Sequence, residues 1–165
     1  MNLIDPIIAE FEYEYISTRK MLERLPSESF SWKPHEKSMS LGRLAGHISE
    51  IFKWILPVIN SKELNFATEK YEPFTPKSRE DLIEALDKSF KKGISEMKGQ
   101  SDENMLKLWA LKAGDHVIFE MPRIGVLRGF VLKHFIHHRG QLSVYMRLLD
   151  IPVPSIYGPS ADEQA

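Results

Sequence analysis

Cysteine is absent from this sequence. Without thiols the chain cannot form disulfide bonds, use a cysteine nucleophile, or bind zinc, iron–sulfur clusters or copper through thiolate ligands. A metal ion held by this chain would therefore need histidine or carboxylate ligands.

Excess charge and long apolar runs are also missing. The 22 Lys and Arg residues and the 23 Asp and Glu residues leave a formal net charge of -1, whereas a nucleic-acid partner usually requires a basic face. No apolar stretch approaches the ~20 residues of a membrane span, and the first residues lack the basic and apolar regions of a signal peptide. We therefore expect a cytoplasmic protein with no nucleic-acid partner and no membrane partner.

The residues that are present are typical of one globular domain. The chain has 165 residues, of which 42% are hydrophobic and 27% are charged. That length is sufficient to bury a sizeable core. We expect a single domain over residues 1–165.

Capping residues and the helical spacing of apolar side chains predict four long helices. Asp5 is the expected N-cap of the first helix, which Pro26 ends. Ser40 is the expected cap of a second helix that continues to about Val58, with Pro57 able to loosen its last turn.

The third and fourth helices have equally clear start signals. Ser78 is followed three residues later by Asp81, which predicts a capping box, and Gly99 ends the third helix. Pro122 is the expected first residue of a fourth and longest helix, which runs to about Leu149.

The segments between and after these helices differ in character. Residues 60–77 contain two prolines and predict a long connection, and such connections usually carry function or cover something. Residues 106–121 contain two short apolar runs around Gly114 and predict a small hairpin. Residues 150–165 contain three prolines and predict an extended or partly disordered tail. With no sheet of consequence, we expect an all-α protein built as a four-helix bundle.

Three histidines interrupt the apolar stripes of two helices. His47 lies between Leu44 and Ile51 in the second helix, and His134 and His138 lie four residues apart in the fourth. Four residues on a helix correspond to about 40° of rotation and roughly 6 Å of rise, so both imidazoles leave the same face.

The three histidines together predict a metal site. A buried imidazole needs hydrogen-bonding or metal partners for its ring nitrogens. A single inward histidine would be read as a structural residue, but three from two helices favour a ligand set for Zn, Ni, Fe or Mn. Three protein ligands leave coordination positions open, as catalytic sites require, to activate a water, a thiol or a carbonyl.

The other histidines have weaker claims to this site. His137 could pair with His134, but His138 fits the apolar stripe better. We therefore expect His137 to lie at the rim or to orient a ligand histidine. His35 and His116 are expected on the solvated surface.

Four further residues lie close enough in sequence to support such a site. Glu50, one turn after His47, could accept an imidazole N–H or act as a base, although a solvent-facing glutamate is at least as plausible. Gln141 could orient His138, and Arg139 could anchor an anionic substrate or form a surface salt bridge. Tyr145 could present its hydroxyl to the cavity or pack in the core.

Two separated groups of motifs resemble the DinB-like (DinB/YfiT) superfamily. The first half of the chain supplies Leu25-Pro26, Trp32-Lys33-Pro34, Ser38 to Gly42 and Gly46-His47-Ile48, and the second half supplies His134 to Gln141 and Leu149 to Pro154. The resemblance implies an up-down-down-up four-helix bundle that forms a homodimer. It also implies one metal ligand from the second helix and two from the fourth, which correspond to His47, His134 and His138.

The resemblance also implies a range of functions. Characterised relatives include transferases and isomerases that use low-molecular-weight thiols such as bacillithiol, mycothiol or glutathione. We therefore expect a divalent-metal-dependent enzyme that transfers a thiol to a small-molecule electrophile. The alternatives are a metal-dependent hydrolase and a non-catalytic bundle that binds a metal or a small molecule.

Overall fold

The computed structural model describes residues 2–164 and shows a mostly helical chain with a small three-stranded sheet. The α-helices are, in chain order, α1 (Ile4–Leu22), α2 (Leu41–Glu50), α3 (Ile55–Asn60), α4 (Arg79–Met97), α5 (Asp102–Leu106), α6 (Arg123–Val126) and α7 (Lys133–Leu148). The strands are β1 (Glu63–Asn65), β2 (Leu108–Ala113) and β3 (His116–Pro122). Short 3-10 turns span Ser27–Ser29 and Ile51–Trp54, and a π-helical stretch spans Leu127–Leu132.

The predicted cap of the first helix is wrong by two residues. Helix α1 already begins at Ile4, and its N-cap residue Leu3 makes no side-chain capping bond. Asp5 lies inside the first turn, where its carboxylate accepts a hydrogen bond of 2.8 Å from the backbone N–H of Asn2. An acidic side chain in the first turn still satisfies a free donor there and opposes the positive end of the helix dipole.

The second predicted helix begins as expected but is not continuous. The Ser40 hydroxyl accepts the backbone N–H of Arg43, which confirms the cap. The backbone then changes to a 3-10 turn, Ile51–Trp54, before α3 begins. Pro57 explains part of this change, because it has no N–H to offer the carbonyl of Lys53 four residues earlier.

The third predicted helix is confirmed at both ends. Ser78 and Asp81 form the reciprocal capping box at the start of α4. Gly99, just past the end of α4, adopts a φ of +78°, which is a backbone conformation that glycine tolerates best.

The sheet corrects the all-α prediction. The expected hairpin is present as β2 and β3, but β1, within the predicted connection 60–77, adds a third strand parallel to β2. The β2–β3 pairing shifts register so that Leu111 faces Phe119 while Lys112 faces Val117, which leaves Ile118 as the extra residue of a bulge. Bulges of this kind redirect side chains.

The fourth predicted helix contains an irregular section. Pro122 is the last residue of β3 rather than the first of the helix, and α6 is followed directly by the π-helical stretch and α7. A π-helical turn inserts an extra residue into the helix and is frequent at functional sites. Here it ends two residues before His134.

The tail after α7 is extended but well anchored over its described residues. Arg24 forms a salt bridge with Glu163, and Arg147 forms one with Asp162. The Tyr157 hydroxyl donates a hydrogen bond of 2.7 Å to Glu14 on α1. The tail is therefore extended, as predicted, and it is ordered against the helices.

A shared apolar core joins the long helices. Helix α1 packs against α4 and α7, and α2 packs against the same two helices. Phe11, Phe52 and Phe135 are fully buried between them. Among residues 2–164 we find no helix that combines the length and apolar character needed to cross a membrane.

Candidate metal centre

The structure brings His47, His134 and His138 together. The Nε2 atoms of His47 and His134 are 3.2 Å apart, and those of His134 and His138 are 2.7 Å apart. One ring nitrogen of each residue lies within 4.8 Å of those of the other two. All three side chains are partly buried.

Close packing on α2 fixes the position of His47. A Cβ atom on Gly46, the preceding residue, would lie 2.9 Å from the carbonyl oxygen of Phe74 and 3.0 Å from Cδ of Pro76. These separations are shorter than ordinary van der Waals contacts, so the glycine allows the connection before α4 to lie directly on α2. This contact places the connection beside His47.

A hydrogen bond orients the ring of His138, and a nearby carboxylate favours one tautomer of His47. Nδ1 of His138 lies 2.7 Å from Oε1 of Gln141, and an amide oxygen can only accept. Nδ1 of His138 therefore carries the proton, and its Nε2 has a free lone pair. Nδ1 of His47 lies 3.9 Å from Oε1 of Glu50, a distance too long for a hydrogen bond but close enough to favour a proton on Nδ1.

The electrostatic environment favours the neutral forms of His134 and His138. Burial, followed by the neighbouring histidines, lowers the pKa of His134 to about 4. Burial also lowers the pKa of His138, although the hydrogen bond to Gln141 opposes that shift. Neutral imidazoles are the form that binds metal ions.

Glu50 is buried beside His47 rather than facing solvent. It is 3% exposed, and it accepts a hydrogen bond from the Tyr71 hydroxyl. Its carboxylate oxygens also lie 3.9 Å from Arg43 Nη1 and 3.6 Å from Lys53 Nζ. Burial alone would raise the pKa of Glu50, but His47, Tyr71 and the two cations outweigh it and lower the pKa. Glu50 is therefore an ionised group at the edge of the cluster.

A cleft of about 670 Å³ opens beside His47 and His134. Its volume lies within the range of roughly 300–1,000 Å³ that is usual for small-molecule sites. One part of its wall is apolar and the other is charged. The lining residues used below are Arg43, Glu50, Lys53, Trp54, Phe66, Tyr71, Ile118 and Phe130.

Most of these cleft residues were not identified from sequence. Tyr71 and Phe66 lie in the connection 60–77, for which the sequence predicted only in general terms that it carries function or covers something. Their partners are on α2 and the following turn, far away in the chain, so no local pattern could reveal the contacts. The two prolines and the length of the connection were the only available signals.

Two candidate residues for which the sequence left alternatives open lie away from the cleft. Arg139 is 2% exposed and forms a buried salt bridge with Glu14, so it is not available to anchor a substrate. The Tyr145 hydroxyl donates to the carbonyl oxygen of Met39, and its ring packs edge-on against Trp32. The Tyr145 ring therefore packs against Trp32, and its hydroxyl is bonded to the backbone instead of facing the cavity.

The remaining histidines lie outside the cluster. His137 is exposed, with its ring centroid 5.0 Å from that of His138. His35 and His116 are exposed in a loop and at the start of β3. His35 accepts the backbone N–H of Lys37, a bond within its own loop.

Comparisons with known proteins agree on one family. The model of the DinB family matches residues 5–165. An uncharacterized protein, YrdA, of Bacillus subtilis is 28% identical over 162 residues, which cover 98% of this chain and 92% of that protein.

Solved structures of DinB-like proteins share the fold. One from Bacillus cereus is 25% identical with a TM-score of 0.71, covering 92% of this chain and 95% of that one. Another, YjoA of Bacillus subtilis, is 22% identical with a TM-score of 0.70, covering 98% of this chain and 100% of that one. A third, from Exiguobacterium sibiricum, is 17% identical with a TM-score of 0.65, covering 91% and 93% respectively.

Proposed function

The chain belongs to the DinB family, and on that premise we propose that it is a divalent-metal-dependent enzyme that transfers a low-molecular-weight thiol to a small electrophile. The observation that carries this proposal is the convergence of His47, His134 and His138 at the end of a cleft. Family membership alone would support the fold more strongly than the reaction.

The three histidines fit a divalent cation. The Nε2 separations of 3.2 and 2.7 Å, and the grouping of one ring nitrogen from each residue within 4.8 Å, would allow all three histidines to bind one ion. The Nε2 atom of His134 lies between those of His47 and His138, so one cation could accept the lone pairs of all three rings in their Nδ1–H tautomers. The neutral imidazole set suits Zn, Ni, Fe or Mn.

The chain's own residues would prepare this site for chemistry. A bound divalent cation supplies a Lewis acid that can lower the pKa of a thiol or a water molecule. Gln141 holds the ring of His138 in the tautomer that leaves Nε2 free, and the nearby Glu50 carboxylate favours the same tautomer of His47. Glu50 also holds the Tyr71 hydroxyl over the cleft.

The apolar wall favours transfer over hydrolysis. The ring centroid of Phe130 lies 5.7 Å from that of His134 and 5.3 Å from that of Trp54. An aromatic wall beside the ligands lowers the local concentration of water and favours an organic reactant. The hydrolase remains the second candidate, because the same cation could activate water.

The metal-loaded protein should catalyse the substitution of the chloride of chlorodinitrobenzene by glutathione or bacillithiol. In this reaction a C–S bond forms, the C–Cl bond breaks, chloride leaves and the thiol proton goes to solvent. We expect the rate above background to require thiol and metal together, and to fall by roughly 100-fold or more in His134→Ala, since even residues that only orient metal ligands are worth about 10–100-fold. Stopped assays that follow the conjugate by chromatography measure it.

The matched control is His116→Ala, which removes an exposed histidine on β3 and should retain the full rate. Consumption of ester or amide substrates without thiol, abolished by chelation, would support the hydrolase instead. A metal-loaded protein inactive in both assays would leave the non-catalytic, ligand-binding role.

Assembly and architecture are further parts of the proposal. We propose the up-down-down-up four-helix bundle, which the packing of α1 and α2 against both α4 and α7 supports. We also propose a homodimer, supported by exposed Tyr13 and Ile16 on α1, and a cytoplasmic location. Light scattering at micromolar concentration that found only monomer would contradict the dimer.

A further inference from the structure

We infer that the cleft beside the histidine cluster binds an organic anion with a flat apolar body. The inference rests on the proposed function, because it names the substrate class of that site. It is carried by two features of the cleft that the metal ligands do not explain: an aromatic wall and an excess of positive charge.

The aromatic wall is continuous and reaches the histidines. Trp54 lies between Phe66 and Phe130, with ring centroids 5.8 and 5.3 Å away and edge-to-face geometry. Phe130 in turn contacts His134. Ile118, the extra residue of the β3 bulge, also lines this wall. Aromatic rings that already pack against one another present a pre-formed surface on which a flat apolar group can stack.

Around Glu50 the cleft has one cation in excess. Arg43 and Lys53 both face the single carboxylate of Glu50, at 3.9 and 3.6 Å. Glu69, Lys70 and Glu72 also line the cleft, and their one excess negative charge balances the lining as a whole. The excess positive charge is therefore local to Glu50, and Arg43, which is less exposed than Lys53, is the cation that solvent screens less.

Arg43 also has a donor without an acceptor. Its Nη2 donates to the Tyr71 hydroxyl at 3.0 Å, whereas its Nη1 is buried and has no hydrogen-bond partner among residues 2–164. A buried guanidinium N–H is rarely left unpaired, since the lost hydrogen bond is unfavourable. A carboxylate or a comparable anionic group would supply the missing acceptor.

The two features adjoin different histidines of one cluster. The aromatic wall meets His134, and the cationic part meets His47, whose Nε2 is 3.2 Å from that of His134. A ligand that contacted both the aromatic wall and the cationic part of the cleft would therefore pass over the histidine cluster. Its reactive atom would then lie beside the cluster, while its apolar body and its anionic group were held on either part of the cleft.

Two fluorescent probes test this inference without any reaction. Anilinonaphthalenesulfonate is an aromatic anion, and phenylnaphthylamine has the same arylamine body without the sulfonate. Titrations use protein treated with chelator, so that binding does not depend on the proposed metal. We expect the wild-type protein to bind both probes saturably. Arg43→Gln should bind the anionic probe roughly tenfold more weakly and should bind the neutral probe with unchanged affinity. Phe130→Leu should weaken the binding of both probes several-fold, because the aromatic ring on which they stack is lost.

Lys53→Gln provides a second charge test with an exposed side chain that does not support the fold. This variant should weaken the binding of the anionic probe by about two- to fivefold and leave the affinity for the neutral probe unchanged. Lys91→Gln, the same change on α4 outside this cleft, should alter neither affinity. If neither charge variant distinguished the two probes, or if Phe130→Leu left both unaffected, the inference would be overturned even with a fully functional metal site.

Discussion

Replacing His134 with alanine is expected to lower the metal content of the purified protein from about one divalent ion per chain to near none. The Nε2 atom of His134 lies 3.2 Å from that of His47 and 2.7 Å from that of His138. Its removal leaves His47 and His138 as a two-ligand site, and two neutral imidazoles hold a divalent ion far more weakly than three. Elemental analysis of protein prepared without a histidine tag measures the effect.

Two control variants make this result specific. His116→Ala removes an exposed histidine and should keep its metal. His137→Ala should also keep it, because the exposed ring of His137 lies outside the cluster that His138 completes. Full occupancy in His134→Ala would refute the site. So would a wild-type protein that bound none of Zn, Ni, Fe or Mn after incubation with each ion.

The elements that could be predicted are those that depend on short-range hydrogen bonds. Ser40 and Ser78 start helices because each side chain accepts a backbone N–H three residues later. The third strand could not be predicted, because Glu63–Asn65 is short and pairs with residues more than forty positions later. The π-helical stretch before His134 also leaves no mark on the apolar pattern.

Part of the candidate site could likewise be predicted from the sequence, and part could not. The histidines could be found because helical periodicity places His134 and His138 on one face and His47 on the apolar face of another helix. Tyr71 could not, because it meets Arg43 and Glu50 only after the connection before α4 has folded over α2. Arg139 follows His138 directly, but adjacent helical residues point about 100° apart, and Arg139 faces α1 instead of the cleft.

The role of Arg139 leads to a large effect on stability. Arg139 and Glu14 form an ion pair in which the side chains are 2% and 9% exposed. The guanidinium also donates to the Tyr157 hydroxyl at 2.5 Å and lies over that ring, with Cζ 5.1 Å from its centroid. Tyr157 in turn donates to Glu14. This network joins α1, α7 and the tail. It depends on the mutual neutralisation of the Arg139 and Glu14 charges in the protein interior.

Arg139→Met is therefore expected to destabilise the protein by about 3–5 kcal/mol, because it leaves the Glu14 carboxylate buried without its counter-ion. For a chain of this size each kcal/mol lowers the thermal midpoint by about 2–4 °C, so calorimetry should show a fall of roughly 6–20 °C. Adding Glu14→Gln should restore most of that loss, because it removes the unpaired charge. Arg147→Met, which breaks the exposed pair with Asp162, should leave the midpoint almost unchanged. Equal effects of Arg139→Met and Arg147→Met would contradict a structural role for the buried pair.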